Sequence, residues 1–226
     1  MALVISRQST ALPLTSGKND GHQFGQTVAA ATEGPTEHYY SSRFSPEIVS
    51  AESVLTRSPT VESMKSQNVD AVSRFLSQNL PVSYSSSFMM QFIVSKDCFC
   101  YFARDESRAR LATPDDRAIV GVIAGKILRG ALNRDVCTGN VMILAVATEW
   151  RRFGVGWELL TKLEHAFHKV ASSSITSLKS IFLHVASTNT GAIRFYEKGG
   201  YAYEKSECGY YGNRTDGIVM RKYLES

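Results

Sequence analysis

Nowhere does this chain carry an apolar run long enough to cross a bilayer. The longest, near Ile119–Leu128 and Val141–Ala147, have the length of buried strands. Cysteine is scarce, and the four present (Cys98, Cys100, Cys137 and Cys208) form no paired CxxC clusters. No segment has the apolar core and small-residue cleavage site of a secretory signal. Free thiols in a reducing compartment, and a soluble cytoplasmic protein, are therefore the expectation. An excess of one charge is also missing: the formal net charge is +4 and the Lys and Arg residues are scattered. Without a basic stripe to follow a phosphate backbone, nucleic acid is not an expected partner. There is no GxxxxGK[ST] and no GxGxxG, so neither a nucleoside triphosphate nor a dinucleotide is favoured. There is no HExxH either; Glu164, His165 and His168 on a predicted helix read as a solvated face, and no metal is expected.

What is present suffices for one full core, since 43% of the 226 residues are apolar. Residues 1–60 are rich in Ser, Thr, Ala and Gly without helical or strand period, as in the run from Gln26 to Pro35. They read as a flexible tail, of a composition that a transit peptide can share, ahead of a domain over 61–226. Val69, Val72, Phe75 and Leu76 recur at helical spacing until Pro81 stops the pattern. Strand-like runs follow at Cys98–Arg104 and Ile119–Leu128, joined by a long polar loop over Asp105–Arg117. After a polar link at Asn133–Gly139, the segment Val141–Ala147 is apolar at successive positions, the mark of a central strand covered on both faces. A glycine turn then leads into a helix with Leu159, Leu160, Leu163, Phe167 and Val170 on one face. A strand at Ile181–Val185, a short helix at Gly191–Lys198 closed by two glycines, and a final pair of strands from Tyr201 to Tyr223 complete a mixed α and β order without repeats.

Three places carry chemistry. In Arg151-Arg-Phe-Gly154-Val-Gly156 the glycines let backbone approach a ligand, and the following helix begins with unpaired N–H groups at its positive dipole end. The turn is either a structural link or a diphosphate site, and its place after a central buried strand favours the second. Tyr196 is either a core aromatic on a helix or a phenol that can donate a proton as a general acid. His184 alternates with Leu183 and Val185, so it leaves the sheet on the face shared with Phe182. It is either a satisfied strand histidine or a base with a pKa near neutrality.

Arg151-x-x-Gly154-x-Gly156 resembles the acetyl-CoA pyrophosphate signature of the GNAT superfamily, and Asn189-x-x-Ala192-x-x-x-Tyr196 is similar to its N-x-x-A-x-x-x-Y segment. From Val69 to the C-terminus, Pro81-Val-Ser-Tyr84, Trp150-Arg-Arg-Phe-Gly-Val-Gly156, Leu183-His-Val185 and Tyr210-Tyr211 resemble the catalytic subunits of NatE-type (San) N-terminal acetyltransferases, with the NatF type a near relative. The resemblance implies a GNAT fold: a twisted, mixed but mostly antiparallel sheet of about seven strands, flanked by about four helices, with acetyl-CoA in the splay between two central strands. It implies Leu144 and Val146 at the acetyl and pantetheine end, Arg151, Arg152, Gly154, Val155 and Gly156 at the pyrophosphate, and Asn189 and Tyr196 along the rest of the arm. His184 would be the general base, with strand N–H groups facing the oxyanion and no acyl-enzyme. Leu80, Pro81, Val82, Tyr84, Met142, Tyr210 and Tyr211 would line a pocket for a peptide N-terminus beginning Met-apolar, and a NatA-type complex at the ribosome would be a partner. Two positions depart from the pattern. Asn140 stands where the NatE type has a catalytic tyrosine, and an amide can orient water but cannot act as a base. Leu80 replaces a phenylalanine at the pocket wall. Two other readings stay open: a GNAT enzyme acting on small amines or lysine, and a non-catalytic partner that binds acetyl-CoA.

Overall fold

The computed structural model describes residues 4–5, 59–105, 118–130, 135–174, 176–212 and 215–224. The chain divides into two units, Met1–Gln8 with Arg57–Ser226, and Ser9–Thr56. The second lies outside the described residues, as do most of the expected tail and the 106–117 part of the expected loop. In chain order the first unit contains β1 (Val4–Ile5), β2 (Thr60–Ser63), α1 (Val69–Asn79), α2 (Ser86–Val94), β3 (Cys98–Arg104), β4 (Ile119–Arg129) and β5 (Val136–Val146). Then follow α3 (Val155–Ser173), β6 (Ser177–Ala186), α4 (Thr190–Lys198), β7 (Ala202–Glu207) and β8 (Gly217–Tyr223).

Seven strands run in the order β2-β3-β4-β5-β6-β8-β7, and β1 pairs with β5 off this path. Among the described residues, β5 and β6 pair in parallel and every other pairing is antiparallel. With four α-helices among the described residues, this is the fold class expected from the sequence. All four cysteines are free thiols.

The apolar runs become β4 and β5, whose residues from Ile119 to Gly125 and from Gly139 to Val146 are buried on both faces. α3 covers one face, and glycines let it come close. A Cβ on Gly139 would stand 2.5 Å from the Phe167 ring, and one on Gly125 would stand 2.9 Å from it. Val122 and Ala124, between the β4 glycines, are equally buried, and α1 touches both β4 and β5. α1 turns Val69, Val72, Phe75 and Leu76 inward, as its spacing predicts, and ends at Leu80 ahead of Pro81.

Three elements differ from the sequence reading. β5 begins at Val136, so Val136–Gly139 is strand and not part of a polar link; its alternation of half-buried and buried residues was masked by Thr138 and Gly139. α2, with Ser85 accepting from the Phe88 N–H as its N-cap, is apolar nearly all round and shows no stripe. Glu164 is not on a solvated face, because it accepts from the Tyr201 hydroxyl at 2.8 Å and from Lys222 Nζ at 2.9 Å.

The site is prepared by a fault in the sheet. Ala124 pairs with Ile143 and Gly125 with Val141, so Met142 bulges out of the β4–β5 ladder. A bulge bends its strand and raises its twist. Val141 is also where β5 stops pairing with β6, opposite Leu183. Beyond that point the two parallel strands diverge, and β1 lies antiparallel to β5 there, with Val4 opposite Leu144 and Ile5 opposite Ile143. β1 touches β6 as well.

Candidate active site

At the end of β5 the chain makes a short 3-10 turn, Thr148–Trp150, pinned by the buried Trp150 ring. The Arg151 Nε donates to the Val146 carbonyl at 3.1 Å, which ties the following turn back to the strand. Burial lowers the pKa of this guanidinium below its ordinary value, but arginine remains a cation. Arg152 (φ 70°) and Gly154 (φ 86°) both occupy the left-handed region. For a non-glycine residue such a conformation costs roughly 1–3 kcal/mol, and residues held this way concentrate at ligand clamps. Gly154 is the N-cap of α3, and its carbonyl accepts from Trp157 and Glu158 at 2.9 and 3.0 Å. The N–H groups of Val155 and Gly156 precede these first intrahelical bonds and point out of the helix start.

Above this turn opens a cleft of ≈ 480 Å³, walled by Val146, the turn, Gly191 and α4. Trp157 and Phe195 meet edge to face across it, with ring centres 6.2 Å apart. Lys198 lines it alongside Arg151 and Arg152. Three cations, a helix start and two aromatic rings suit a phosphate-bearing ligand with an apolar or planar end. Sequence reasoning missed Trp157, Phe195 and Lys198. An exposed tryptophan immediately after Gly156 was the available signal, but its pairing with Phe195 depends on how α4 returns to α3.

His184 leaves β6 on the face shared with Phe182, as its alternation predicts, with Leu183 and Val185 buried on the other. Asn140 pairs with Phe182 and so lies on the same face. The Tyr210 ring stacks on His184 at 4.1 Å and 3°, and Tyr211 meets Tyr210 edge to face at 5.0 Å. Tyr84 is close enough to Tyr210 that burial first, then this neighbouring phenol, push its pKa well above the ordinary value. Tyr196 is linked in the same way to Tyr211: full burial, then the Tyr211 phenol, raise its pKa strongly, so it stays protonated. Burial lowers the His184 pKa below 6.5, a shift that Glu207 opposes. The imidazole is therefore neutral near pH 7 and available as a base.

The structure thus gathers His184, Tyr84, Tyr210, Tyr211 and Tyr196 in one connected set. Asn189 is the N-cap of α4, its side chain accepting from the Ala192 N–H at 3.3 Å. Leu80 and Met142 are buried in the core, Pro81 is exposed, and Val82 packs partly against the core. Among the described residues, the buried polar atoms without a protein hydrogen-bond partner include Asn140 Oδ1, His184 Nδ1 and the hydroxyls of Tyr84 and Tyr196. Unpaired buried polar atoms are costly and rare, and at a site they are the atoms a substrate or bound water satisfies.

A mixed sheet thus opens beside a cationic glycine turn that suits a phosphate-bearing ligand. The model of the acetyltransferase (GNAT) family matches residues 70–201. The chain is 30% identical to the N-terminal acetyltransferase B complex catalytic subunit NAA20 of Arabidopsis thaliana, over 67% of this chain and 79% of that protein. It is 26% identical to the probable N-acetyltransferase san of Drosophila melanogaster, over 70% of this chain and 76% of that protein. The crystal structure of Arabidopsis thaliana NAA60 in complex with acetyl-CoA shares the fold, with a TM-score of 0.62 and 17% identity over 75% of this chain and all of that one. The chain belongs to the acetyltransferase (GNAT) family: it is an N-acetyltransferase.

Proposed function

We propose that this enzyme acetylates the α-amine of polypeptide N-termini, with the NatE-type preference for Met followed by an apolar residue. The observation that carries the reading is the stack of Tyr210 on His184, with Tyr84 and Tyr211 beside it. In that stack a neutral imidazole lies under an aromatic wall, which supports reading it as the base. Such a wall offers apolar area to a large first residue and hydroxyls to a peptide backbone. One relative is the catalytic subunit of an N-terminal acetyltransferase complex and others are named N-alpha-acetyltransferases, which supports an α-amine over a small soluble amine; the NAA60 complex supports acetyl-CoA as the cosubstrate.

Each side chain then has one task. His184 takes the proton from the substrate ammonium, so that the amine attacks the thioester carbon directly. As the carbon–sulfur bond breaks, Tyr196, protonated by burial, donates to the departing thiolate. Asn140 offers its unpaired Oδ1 to a water or to the amine, the positioning task left when tyrosine is absent. Arg151, Arg152, Lys198 and the start of α3 hold the diphosphate end. The arm between would follow the β5 edge at Leu144 and Val146. That edge now bears β1 at Ile143 and Leu144, so the two compete for it.

The test is acetyl transfer to peptides beginning Met-Leu, Met-Ala and Ser-Ala, by the wild type and His184→Ala. The expected outcome is fastest transfer to Met-Leu, and a fall in kcat of about a hundredfold or more in the variant. Measurable acetyl-CoA binding without transfer to any peptide would overturn the α-amine reading. Wild-type kcat in the variant would overturn His184 as base.

A further inference from the structure

The His184 ring has its Nε2 atom 3.2 Å from Glu207 Oε2, while Lys205 Nζ sits 2.7 Å from Oε1 of the same carboxylate. Glu207 comes from the end of β7, a strand not adjacent to β6, and reaches His184 across β8. In the sheet, Ala186, Gly217 and Glu207 form a single row across β6, β8 and β7. Gly217 leaves a gap in that row, and Tyr210 fills it: a Cβ there would stand 2.8 Å from the Tyr210 Cβ. The same tyrosine stacks flat on His184. The imidazole is thus held on its face by a ring and at its edge by a carboxylate.

The chemistry of the pair decides which nitrogen carries the proton. Hydrogen bonding from Lys205 is the main cause of a Glu207 pKa below its ordinary value, so near neutrality Glu207 is an ionised carboxylate. A carboxylate only accepts, so the neutral imidazole must present Nε2–H to it. The lone pair is then on Nδ1, which is buried and has no protein partner.

We propose that Glu207 is a positioning residue: its carboxylate fixes the His184 tautomer and ring so that Nδ1 is the nitrogen that accepts the substrate proton. The proposal rests on His184 being the base. It assigns the carboxylate no proton of its own; the proton passes from the ammonium to Nδ1, and the imidazolium so formed is stabilised by the Glu207 charge at Nε2–H. The charged and titratable groups facing the ring are Glu207, Lys205 and Glu204 from β7 and Tyr210 from the following loop.

Glu207→Ala, Glu207→Gln and Lys205→Met are compared with the wild type in two measurements: kcat and KM on the best peptide, and the nitrogen chemical shifts of the His184 ring across pH, assigned by their absence in His184→Asn. Glu207→Ala is expected to lower kcat about tenfold to a hundredfold, the usual scale for a group that orients a functional histidine, with KM within twofold of wild type. It also turns a single Nε2–H tautomer into a mixture. Glu207→Gln keeps a carbonyl acceptor, so the tautomer and part of kcat return, but without the negative charge the His184 pKa falls. Lys205→Met removes a cation from the same carboxylate, and the His184 pKa rises. These opposite shifts would not arise from a loss of packing. Unchanged kcat and an unchanged tautomer in Glu207→Ala, with His184→Ala inactive, would overturn the positioning role alone. An active His184→Ala would overturn the base beneath it.

Discussion

Gly139 has no room for a side chain, and this is where the sequence and the packing can be tested against each other most simply. Its missing Cβ would stand 2.5 Å from Phe167 Cδ2 and 3.2 Å from Ile181 Cγ1, and Phe167 is fully buried. Gly139→Ala must therefore shift the ring or bend β5, and overpacking of this kind costs roughly 1–3 kcal/mol. Urea unfolding should show a lower midpoint with an unchanged slope; an unchanged midpoint would mean that α3 yields freely. Phe167 was legible as a core residue from its spacing in α3, but the glycines beneath it were not, because a glycine in a strand run signals a close approach without saying to what. His184 was legible for the opposite reason. Strand alternation alone puts it on the other face from Leu183 and Val185, and the structure keeps it there. Its partner Glu207 was illegible, since β8 lies between their strands in the sheet and follows both in the chain.

At the scale of elements, the strands and helices with a strong period were read directly from the residues, and those without one were not. α1 and α3 show their stripes. α2, with Phe88, Met89 and Phe92 buried and Met90 and Val94 exposed, has apolar residues on every side. β2 is a four-residue strand with little burial, and β1 is two residues long, too short for any pattern. Yet β1 bears on the proposed function, because it is paired to the stretch of β5 that this function assigns to the cosubstrate arm. A strand in that place must leave before the arm can take the same backbone groups, and a conformational cost of this kind raises the apparent dissociation constant. Deleting residues 1–8 should therefore lower the KM for acetyl-CoA while leaving kcat on a saturating peptide unchanged. An unaltered KM would show that β1 and the arm do not share the β5 edge.

Over the whole molecule, the sheet has a seam. β2 to β5 form an antiparallel half and β6 to β8 another, and the ladder between them is the parallel stretch from Val136–Ser177 to Val141–Leu183, which ends where β5 bulges. The cationic turn after β5 and Phe195 and Lys198 of α4 stand on either side of this seam. A ligand held by both joins the halves and binds only the folded chain. Stabilisation then follows mass action: coenzyme A at a hundred times its dissociation constant should add about 2.7 kcal/mol, seen as a higher Tm. Because Arg151, Arg152 and Lys198 are cations lining the cleft, raising the salt concentration at fixed ligand should weaken binding and shrink the rise in Tm. Lys198→Ala, which removes the cation contributed by α4, should shrink it at low salt too. A rise indifferent to both changes would mean that binding rests on the aromatic pair and the β5 edge, and not on the charged turn.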